Sequence, residues 1–274
     1  MKRSVWHKLW QRLGLPKVKR RINNTFAGAM NLDILYQDED IIVVNKPAGS
    51  TVIPERFNTE AVSVNKALEE KLDQKIWVVH RLDRDTSGVL CFAKNEEAHK
   101  SLSKQFQEHS VGKFYAGLVH GRVTNEQGRI ESPIAEHPTI KGKMVVNRKG
   151  KASITDYRIV EQWPMHSLLQ FQIHTGRTHQ IRVHSSNMGH PIVADALYGS
   201  GEPFLLSGIK KKYKLSTKDD DEKPLLNRLA LHAYRLVFMN MKKEEITVEA
   251  PLPKDISACV QQLNKQMNKQ QKQF

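Results

Sequence analysis

Short apolar runs separated by polar turns occupy most of the chain, and this pattern predicts more strands than helices. Continuous apolar runs such as Ile41–Val44 are typical of buried strands, whereas the alternation at Leu169, Phe171 and Ile173 is typical of a strand with one buried face. The pattern predicts strands over 34–36, 41–44, 76–79, 89–93, 114–119, 155–159, 169–173, 229–238 and 245–250.

Helical periodicity is confined to a few segments. It predicts a helix over 60–72 capped by Thr59, a second from Asn95 to a stop at Gly112, and a third from about Thr178 to Gly189. A short amphipathic helix is also predicted over 6–13. Strands and helices do not alternate as βαβ units, so the expected fold is one mixed α+β body.

The chain carries an excess of positive charge. Its 274 residues include 43 Lys and Arg against 29 Asp and Glu, a formal charge of +14. This excess suits a polyanion, most simply nucleic acid, although a merely soluble basic protein has the same balance. Two cysteines, Cys91 and Cys259, are too few for a disulfide framework and are expected to be buried.

The apolar runs are too short for a membrane span or a signal peptide, so a cytoplasmic protein is expected. Composition divides the chain into a basic N-terminal arm over 1–29, a body over 30–252 and a polar C-terminal tail over 253–274. The arm resembles a docked segment, an RNA-contacting or membrane-surface helix, or a transit peptide. The Gln- and Lys-rich end of the tail, from 261, is expected to fray.

The most unusual segment is His80–Gly88, in which Asp83 lies between Arg81 and Arg84 on a loop between two predicted strands. The flanking cations favour the ionised carboxylate, which suits a nucleophile or a base better than an acid. The alternative is a surface turn with local salt bridges.

Two further segments carry candidate chemistry. In His174–His184, backbone N–H groups at a helix start together with Arg177 suit a phosphate. Three histidines spaced by five residues share no helix or strand face, so a metal site is not expected. In 113–121, Lys113 and Tyr115 share one strand face, where the tyrosine either stacks on a base or belongs to the core.

Together these segments resemble the RluA-type pseudouridine synthases. His80–Gly88 matches the family's catalytic motif in full. Four companions match in order and spacing: 46–49, Lys113 with Tyr115, 175–184 and 228–233. The resemblance covers about residues 31–252. It implies a mixed, largely antiparallel sheet with a central cleft, and isomerisation of uridine to pseudouridine in ribosomal or transfer RNA without metal or cofactor.

The resemblance also implies a role for individual residues. Asp83 takes the position of the catalytic aspartate, Tyr115 that of the aromatic residue against the target base, and Arg182 that of the salt-bridge partner of the aspartate. Arg81 takes the position that fills the space of the extruded base, and Leu231 that of a pocket wall. Lys113, Arg177 and His179 are the remaining substrate-binding candidates.

The partner expected is RNA, with no DNA and no membrane, bound by a monomer. Two lysine-rich segments, 141–151 and 210–214, are candidate RNA contacts or else solvated turns. One rival function is a non-catalytic RNA-binding or ribosome-assembly protein on the same fold. A second is a nucleoside glycosidase, which requires two placed carboxylates and leaves the charge of +14 unexplained.

Overall fold

The computed structural model describes residues 30, 32–54, 63–210, 213 and 221–271. Within these residues, ten strands form one sheet in the order β1-β2-β4-β11-β5-β10-β9-β6, with β3 paired to β4 and β12 to β11, while β7 and β8 form a separate hairpin. The strands are β1 (Asp33–Gln37), β2 (Ile41–Lys46), β3 (Trp77–Val78), β4 (Ser87–Ala93), β5 (Gly112–His120), β6 (Gln127–Glu131), β7 (Ile134–Glu136), β8 (Met144–Val146), β9 (Ile154–Gln162), β10 (His166–Ile173), β11 (Leu231–Met239) and β12 (Glu245–Glu249).

In the described residues, four helices pack beside the sheet: α1 (Val64–Leu72), α2 (Glu96–Gln107), α3 (Gln180–Asn187) and α4 (Lys254–Gln271). The start of α2 follows directly from the sequence, because the side chain of Asn95 accepts a hydrogen bond from the N–H of Ala98 and two glutamates occupy the first turn. None of the helices in the described residues combines the length and apolarity needed to cross a membrane.

The central strands are buried on both faces, which explains their uninterrupted apolar sequence. Ile42 and Val44 of β2 belong to one hydrophobic cluster, to which α1 and α4 contribute. Ile41 and Val43 belong to a second cluster on the other face, beneath α2. A strand between two cores has no reason to alternate, so the apolar run predicts the strand and its double burial together. Cys91 and Cys259 are both free and buried, as predicted.

Strand pairing in the large sheet is antiparallel except where β4 meets β11. At that junction Gly88 lies opposite Ala233, and a Cβ built on Gly88 would come within 2.0 Å of the Ala233 carbonyl oxygen. Gly88 also has φ of +119°, a backbone conformation suited to glycine. The mixed, largely antiparallel α+β fold predicted from the sequence is confirmed.

Several boundaries differ from the prediction. Helix α1 begins at Val64 rather than at residue 60, and Thr59 lies outside the described residues. Gly112 does not end α2; His109 takes the left-handed conformation there, with φ of 58°, and Gly112 opens β5. Strands β6, β7 and β8 were not predicted, because β6 is mostly polar and β7 and β8 have only three residues each.

The prediction that the chain frays from residue 261 is wrong. Helix α4 continues to Gln271, and its buried Ile256, Cys259, Val260 and Leu263 recur at helical spacing against the main core. Asn264 fixes it further by accepting a hydrogen bond from the indole N–H of Trp163 at 2.8 Å. The basic arm, including its predicted helix, lies outside the described residues.

Candidate active site

The segment that carries Asp83 is a loop held by contacts to its backbone. It connects β3 to β4 and turns at Asp83, whose carbonyl accepts a hydrogen bond from the N–H of Thr86 at 3.1 Å. At its start, His80 stacks on Phe106 with ring centroids 4.5 Å apart and accepts a hydrogen bond from the N–H of Cys91 at 3.0 Å. Burial, and then the charge of Lys113, lower the pKa of His80 to about 3, so it acts here as a neutral acceptor.

Hydrogen bonds of the Lys46 side chain connect this loop to the turn that follows β2. Its buried ammonium donates hydrogen bonds to the carbonyl oxygens of Pro47 (3.0 Å), Ser50 (2.7 Å) and Arg84 (2.8 Å). Burial lowers the pKa of Lys46 to about 8, against the opposing charges of Asp85 and Asp83. A hydrogen bond from the N–H of Gly49 to the Arg84 carbonyl adds a second link.

The cation beside Asp83 comes from helix α3 rather than from the loop. Arg182 Nη1 lies 3.5 Å from Asp83 Oδ2. Arg81 is exposed at the cleft, and the Nε–H of Arg84 donates to the carbonyl of Gly49, so neither makes the local salt bridge with Asp83 considered from the sequence. The ion pair therefore joins residues about a hundred positions apart in the chain.

Arg182 is itself held by Asp195, a residue that the sequence did not single out. Its Nε and Nη2 donate to the two carboxylate oxygens of Asp195 at 2.8 and 2.9 Å, which leaves Nη1 for Asp83. Burial opposes ionisation of Asp195, but the hydrogen bonds and charge of Arg182, with the N–H groups of Leu197 and Tyr198, outweigh it and lower its pKa. The preceding Ala194 is left-handed, with φ of 57°.

His179 also faces Asp83. It precedes α3 in the left-handed conformation, and its Nε2 lies 4.0 Å from Asp83 Oδ2, while its Nδ1 lies 2.9 Å from the Tyr198 hydroxyl. Burial lowers the pKa of His179 below its ordinary value, against the raising effect of the Asp83 charge, so the ring is neutral at neutral pH.

Strands β5 and β11 supply the other wall. Lys113 and Tyr115 share one face of β5, as predicted, and both are buried. Burial, with the charge of Arg177, lowers the pKa of Lys113 to about 8. Burial and the charge of Asp83 raise the pKa of Tyr115, so its phenol stays protonated. Leu231 begins β11 and is also buried.

Two adjoining cavities bring together all eight residues singled out from the sequence. A cleft of about 920 Å³ is lined by Arg81, Asp83, Lys113, Tyr115 and Arg177, among others. A smaller cavity of about 80 Å³ shares four of these and adds His179, Arg182 and Leu231. Among the described residues of the cleft lining, Asp83 is the single acid, beside four Arg and Lys side chains. These cations suit an anionic ligand, and Asp83 places one carboxylate among them.

The three histidines of 174–184 have different contact partners. His174 pairs with Asp156 at 2.7 Å and His179 faces the cleft. His184 is buried between the hydroxyl of Thr155 and the carbonyl of Ser132. Among the described residues, no group of three or more candidate ligands has the arrangement of a metal site.

The sequence did not predict that Lys46 holds the Asp83 loop by hydrogen bonds. It also did not predict the supporting contacts of Asp195 and Tyr198. Lys46 was noted only as part of a turn. Asp195 and Tyr198 lie in a loop with no local pattern to mark them. Their contacts with Arg182 and His179 exist only in the folded chain, so one sequence gives no signal for them.

Comparison with known proteins identifies the family of this chain. The model of the RNA pseudouridylate synthase family matches residues 40–187, and the chain belongs to that family. It is 42% identical over 177 residues to a protein of Aquifex aeolicus described as an uncharacterized RNA pseudouridine synthase, covering 61% of this chain and 56% of that one. It is 36% identical over 240 residues to ribosomal large subunit pseudouridine synthase D of Nitrosomonas europaea, covering 86% and 66%.

The fold is also found among solved structures. The structure of human RNA Pseudouridylate Synthase Domain Containing 1 superposes with a TM-score of 0.65 at 29% identity, over 85% of this chain and 89% of that one. This match covers a larger share of the chain than the family model does.

Proposed function

We propose that this protein isomerises uridine to pseudouridine in a ribosomal or transfer RNA, with Asp83 as the catalytic residue. The observation that carries the proposal is the placement of Asp83: a half-buried carboxylate in a cleft whose lining includes four Arg and Lys side chains, 3.5 Å from Arg182 and beside the protonated phenol of Tyr115. The name of the Nitrosomonas relative refers to the large ribosomal subunit, which favours ribosomal RNA.

The reaction breaks the bond between N1 of uracil and C1′ of the ribose and forms a bond between C5 and C1′. The proton on C5 is lost and N1 gains one, so the atoms balance without a redox or phosphoryl-transfer partner. A carboxylate at the position of Asp83 serves this chemistry by adding to C1′, by adding to C6, or by assisting a glycal route. Arg182, 3.5 Å from that carboxylate, orients it in all three.

The target base must leave its stack to reach Asp83, which costs a few kcal/mol. Tyr115 and Leu231 line the small cavity and supply an aromatic and an aliphatic surface for the base. Arg81 is exposed at the cleft and is suited to fill the gap that the flipped nucleotide leaves. Together these contacts would offset the cost of flipping.

Cations continue from the cleft toward the β7–β8 hairpin. Arg177 lines both the cleft and a neighbouring cavity of about 430 Å³, in which Lys149 and Lys151 lie. This path supports the role of 141–151 as an RNA contact. Of the second candidate segment, 210–214, the structure describes only Lys210 and Tyr213. Because phosphate contacts release counterions, RNA binding should weaken steeply as salt rises, and a flat salt dependence would contradict an RNA partner.

The decisive variant is Asp83→Asn, with Asp85→Asn as its control. Both replace a carboxylate by an amide on the same loop, but Asp85 is exposed and lies outside the lining of both cavities. Asp83→Asn should lower tritium release from RNA carrying 5-³H-uridine by at least about 10³-fold, with RNA binding changed only a few-fold. Asp85→Asn should stay within about twofold of the parent protein.

Undiminished release from Asp83→Asn would overturn the assignment of the catalytic residue. RNA binding without release from the parent protein would favour the non-catalytic rival. A map of pseudouridines in ribosomal and transfer RNA from cells lacking this protein would identify the target uridine and decide between the two RNA classes.

A further inference from the structure

Tyr198 connects the β7–β8 hairpin to the cleft through its hydroxyl group. The hydroxyl oxygen accepts a hydrogen bond from the backbone N–H of Met144 on β8 at 2.8 Å. The same oxygen lies 2.9 Å from Nδ1 of His179, and the ring lies 5.0 Å from the guanidinium carbon of Arg182. One side chain therefore contacts both residues that face Asp83.

The hydrogen-bond pattern favours one tautomer of His179. The Met144 N–H is a donor only, so the Tyr198 oxygen must accept from it. Within the described residues, the remaining hydrogen-bond partner of this hydroxyl is His179 Nδ1, and the phenol proton has a partner only when the O–H donates there and Nδ1 acts as the acceptor. In the neutral ring the proton then resides on Nε2, the atom directed at Asp83.

Both groups that face the Asp83 carboxylate approach it most closely at one oxygen. Arg182 Nη1 lies 3.5 Å and His179 Nε2 lies 4.0 Å from Oδ2. In the part of the chain that the structure describes, Oδ1 takes part in no hydrogen bond. The two oxygens are therefore distinct: Oδ2 faces a cation and an N–H dipole, and Oδ1 is available to the substrate.

We propose that Tyr198 is a positioning residue whose hydroxyl holds neutral His179 as the Nε2–H tautomer, so that His179 and Arg182 orient Oδ2 of Asp83 and leave Oδ1 to react. The proposal rests on the catalytic role proposed for Asp83. The groups that face His179 are Asp83, Arg182, Asp195 and the Tyr198 phenol. Burial, the largest influence on the pKa of His179, keeps the ring neutral and supports the assignment.

The tautomer is tested without any activity measurement. Long-range ¹H–¹⁵N NMR spectra of the full chain should show His179 protonated at Nε2 in the parent protein and a mixture of tautomers in Tyr198→Phe. His184 provides an internal reference, because its Nε2 faces the carbonyl of Ser132 and is predicted to stay protonated in both. A His179 ring protonated at Nδ1 in the parent, or unchanged in the variant, overturns the proposal.

Kinetics test the consequence for Asp83. Tyr198→Phe keeps the ring beside Arg182 and should lower kcat about tenfold with KM within about twofold, as expected for one lost hydrogen bond. Tyr36→Phe is the matched control, because it also removes a tyrosine hydrogen bond, to Asp38 at 2.6 Å, outside the cleft. An unchanged kcat in Tyr198→Phe contradicts the proposal.

Two substitutions of His179 separate positioning from a structural role. Glutamine carries its amide N–H near the position of Nε2, whereas asparagine carries it near Nδ1. Asparagine tolerates the left-handed backbone at φ of 55° better than glutamine, so a structural role predicts that His179→Asn is the less damaged variant. The proposal predicts the reverse order in kcat, and a higher kcat for His179→Asn overturns it. If the parent protein shows no turnover, the proposed function fails, whereas the NMR result still decides the tautomer.

Discussion

The two sides of the cleft are held by different kinds of contact. The loop of Asp83 is held through its backbone, by the three carbonyl oxygens around Lys46 and by the close approach of Gly88 to β11. The facing side, α3 and the loop after it, is held through side chains, chiefly the pair of Arg182 and Asp195.

Buried amide and imidazole groups extend the side-chain network. Gln180 donates to the Ile154 carbonyl at 3.0 Å and accepts from the Thr175 hydroxyl at 2.7 Å, and His184 lies against Thr155. Each group of such a network depends on its neighbours. The backbone-held loop should therefore keep its shape when the Asp83 side chain is changed, whereas the helix side should respond to single side-chain changes.

The largest loss of stability should come from Gly88→Ala, which disturbs the side of the cleft that is held through its backbone. The added Cβ would meet the Ala233 carbonyl oxygen at 2.0 Å, and φ of +119° disfavours any L-residue. We expect a loss of more than about 4 kcal/mol in the free energy of unfolding, measured by urea denaturation. Gly142→Ala is the control: φ is +80°, but no atom lies within 4 Å of the new Cβ, so only about 1 kcal/mol should be lost.

The next effect should come from Asp195→Asn on the side-chain-held side. The substitution leaves the largely buried Arg182 without its paired carboxylate and should cost about 3 kcal/mol of unfolding free energy at neutral pH. Asp156→Asn removes a similar two-pronged contact, with Arg129, but at the surface, and should cost about 1 kcal/mol or less. Equal losses in the two variants would show that burial of the Arg182 pair adds no stability.

The contribution of Asp195 to stability should also depend on pH in the acid range. Because the folded pKa of Asp195 is below its ordinary value, its contribution is present above the unfolded pKa of about 3.9 and is lost as the pH falls through the folded value. The stability gap between the parent protein and Asp195→Asn should therefore narrow in that acid range.

The smallest effect should come from Lys46→Met, which removes the donors to three carbonyl oxygens but also a buried charge. We expect a loss of about 2 kcal/mol at neutral pH, together with lower activity because the Asp83 loop loses its anchor. Urea denaturation and tritium release measure the two effects.

The pH dependence of Lys46 has the same sense as that of Asp195 but falls in the alkaline range. Its folded pKa of about 8 is below the ordinary value of 10.5, so between these values the unfolded chain binds more protons and the folded state gains stability as pH rises. The difference in unfolding free energy between the parent protein and Lys46→Met should therefore increase from pH 8 upward. If this difference in unfolding free energy stays constant above pH 8, Lys46 is not buried as a cation.

Most of the strand pattern was predictable because burial on one or both faces leaves a local signature. The runs 41–44 and 89–93 became β2 and β4 within a residue or two at each end. Helix α4 was missed because its apolar stripe is narrow and stands in a segment rich in Gln, Lys and Asn. Strands β7 and β8 were missed because three residues each are too few to show a periodic pattern, and their pairing with each other is visible only in the folded chain.

The sequence by itself determined the apolar strands, the excess of positive charge and the loop that presents Asp83, because each is written in neighbouring residues. Its eight candidate residues line one pair of cavities, while their roles in the reaction stay predictions. Only the tertiary structure decided how Lys46 holds its loop, and that Asp195 and Tyr198 support the opposite side. Those contacts join segments far apart in the chain, and their energies depend on burial that no local pattern records.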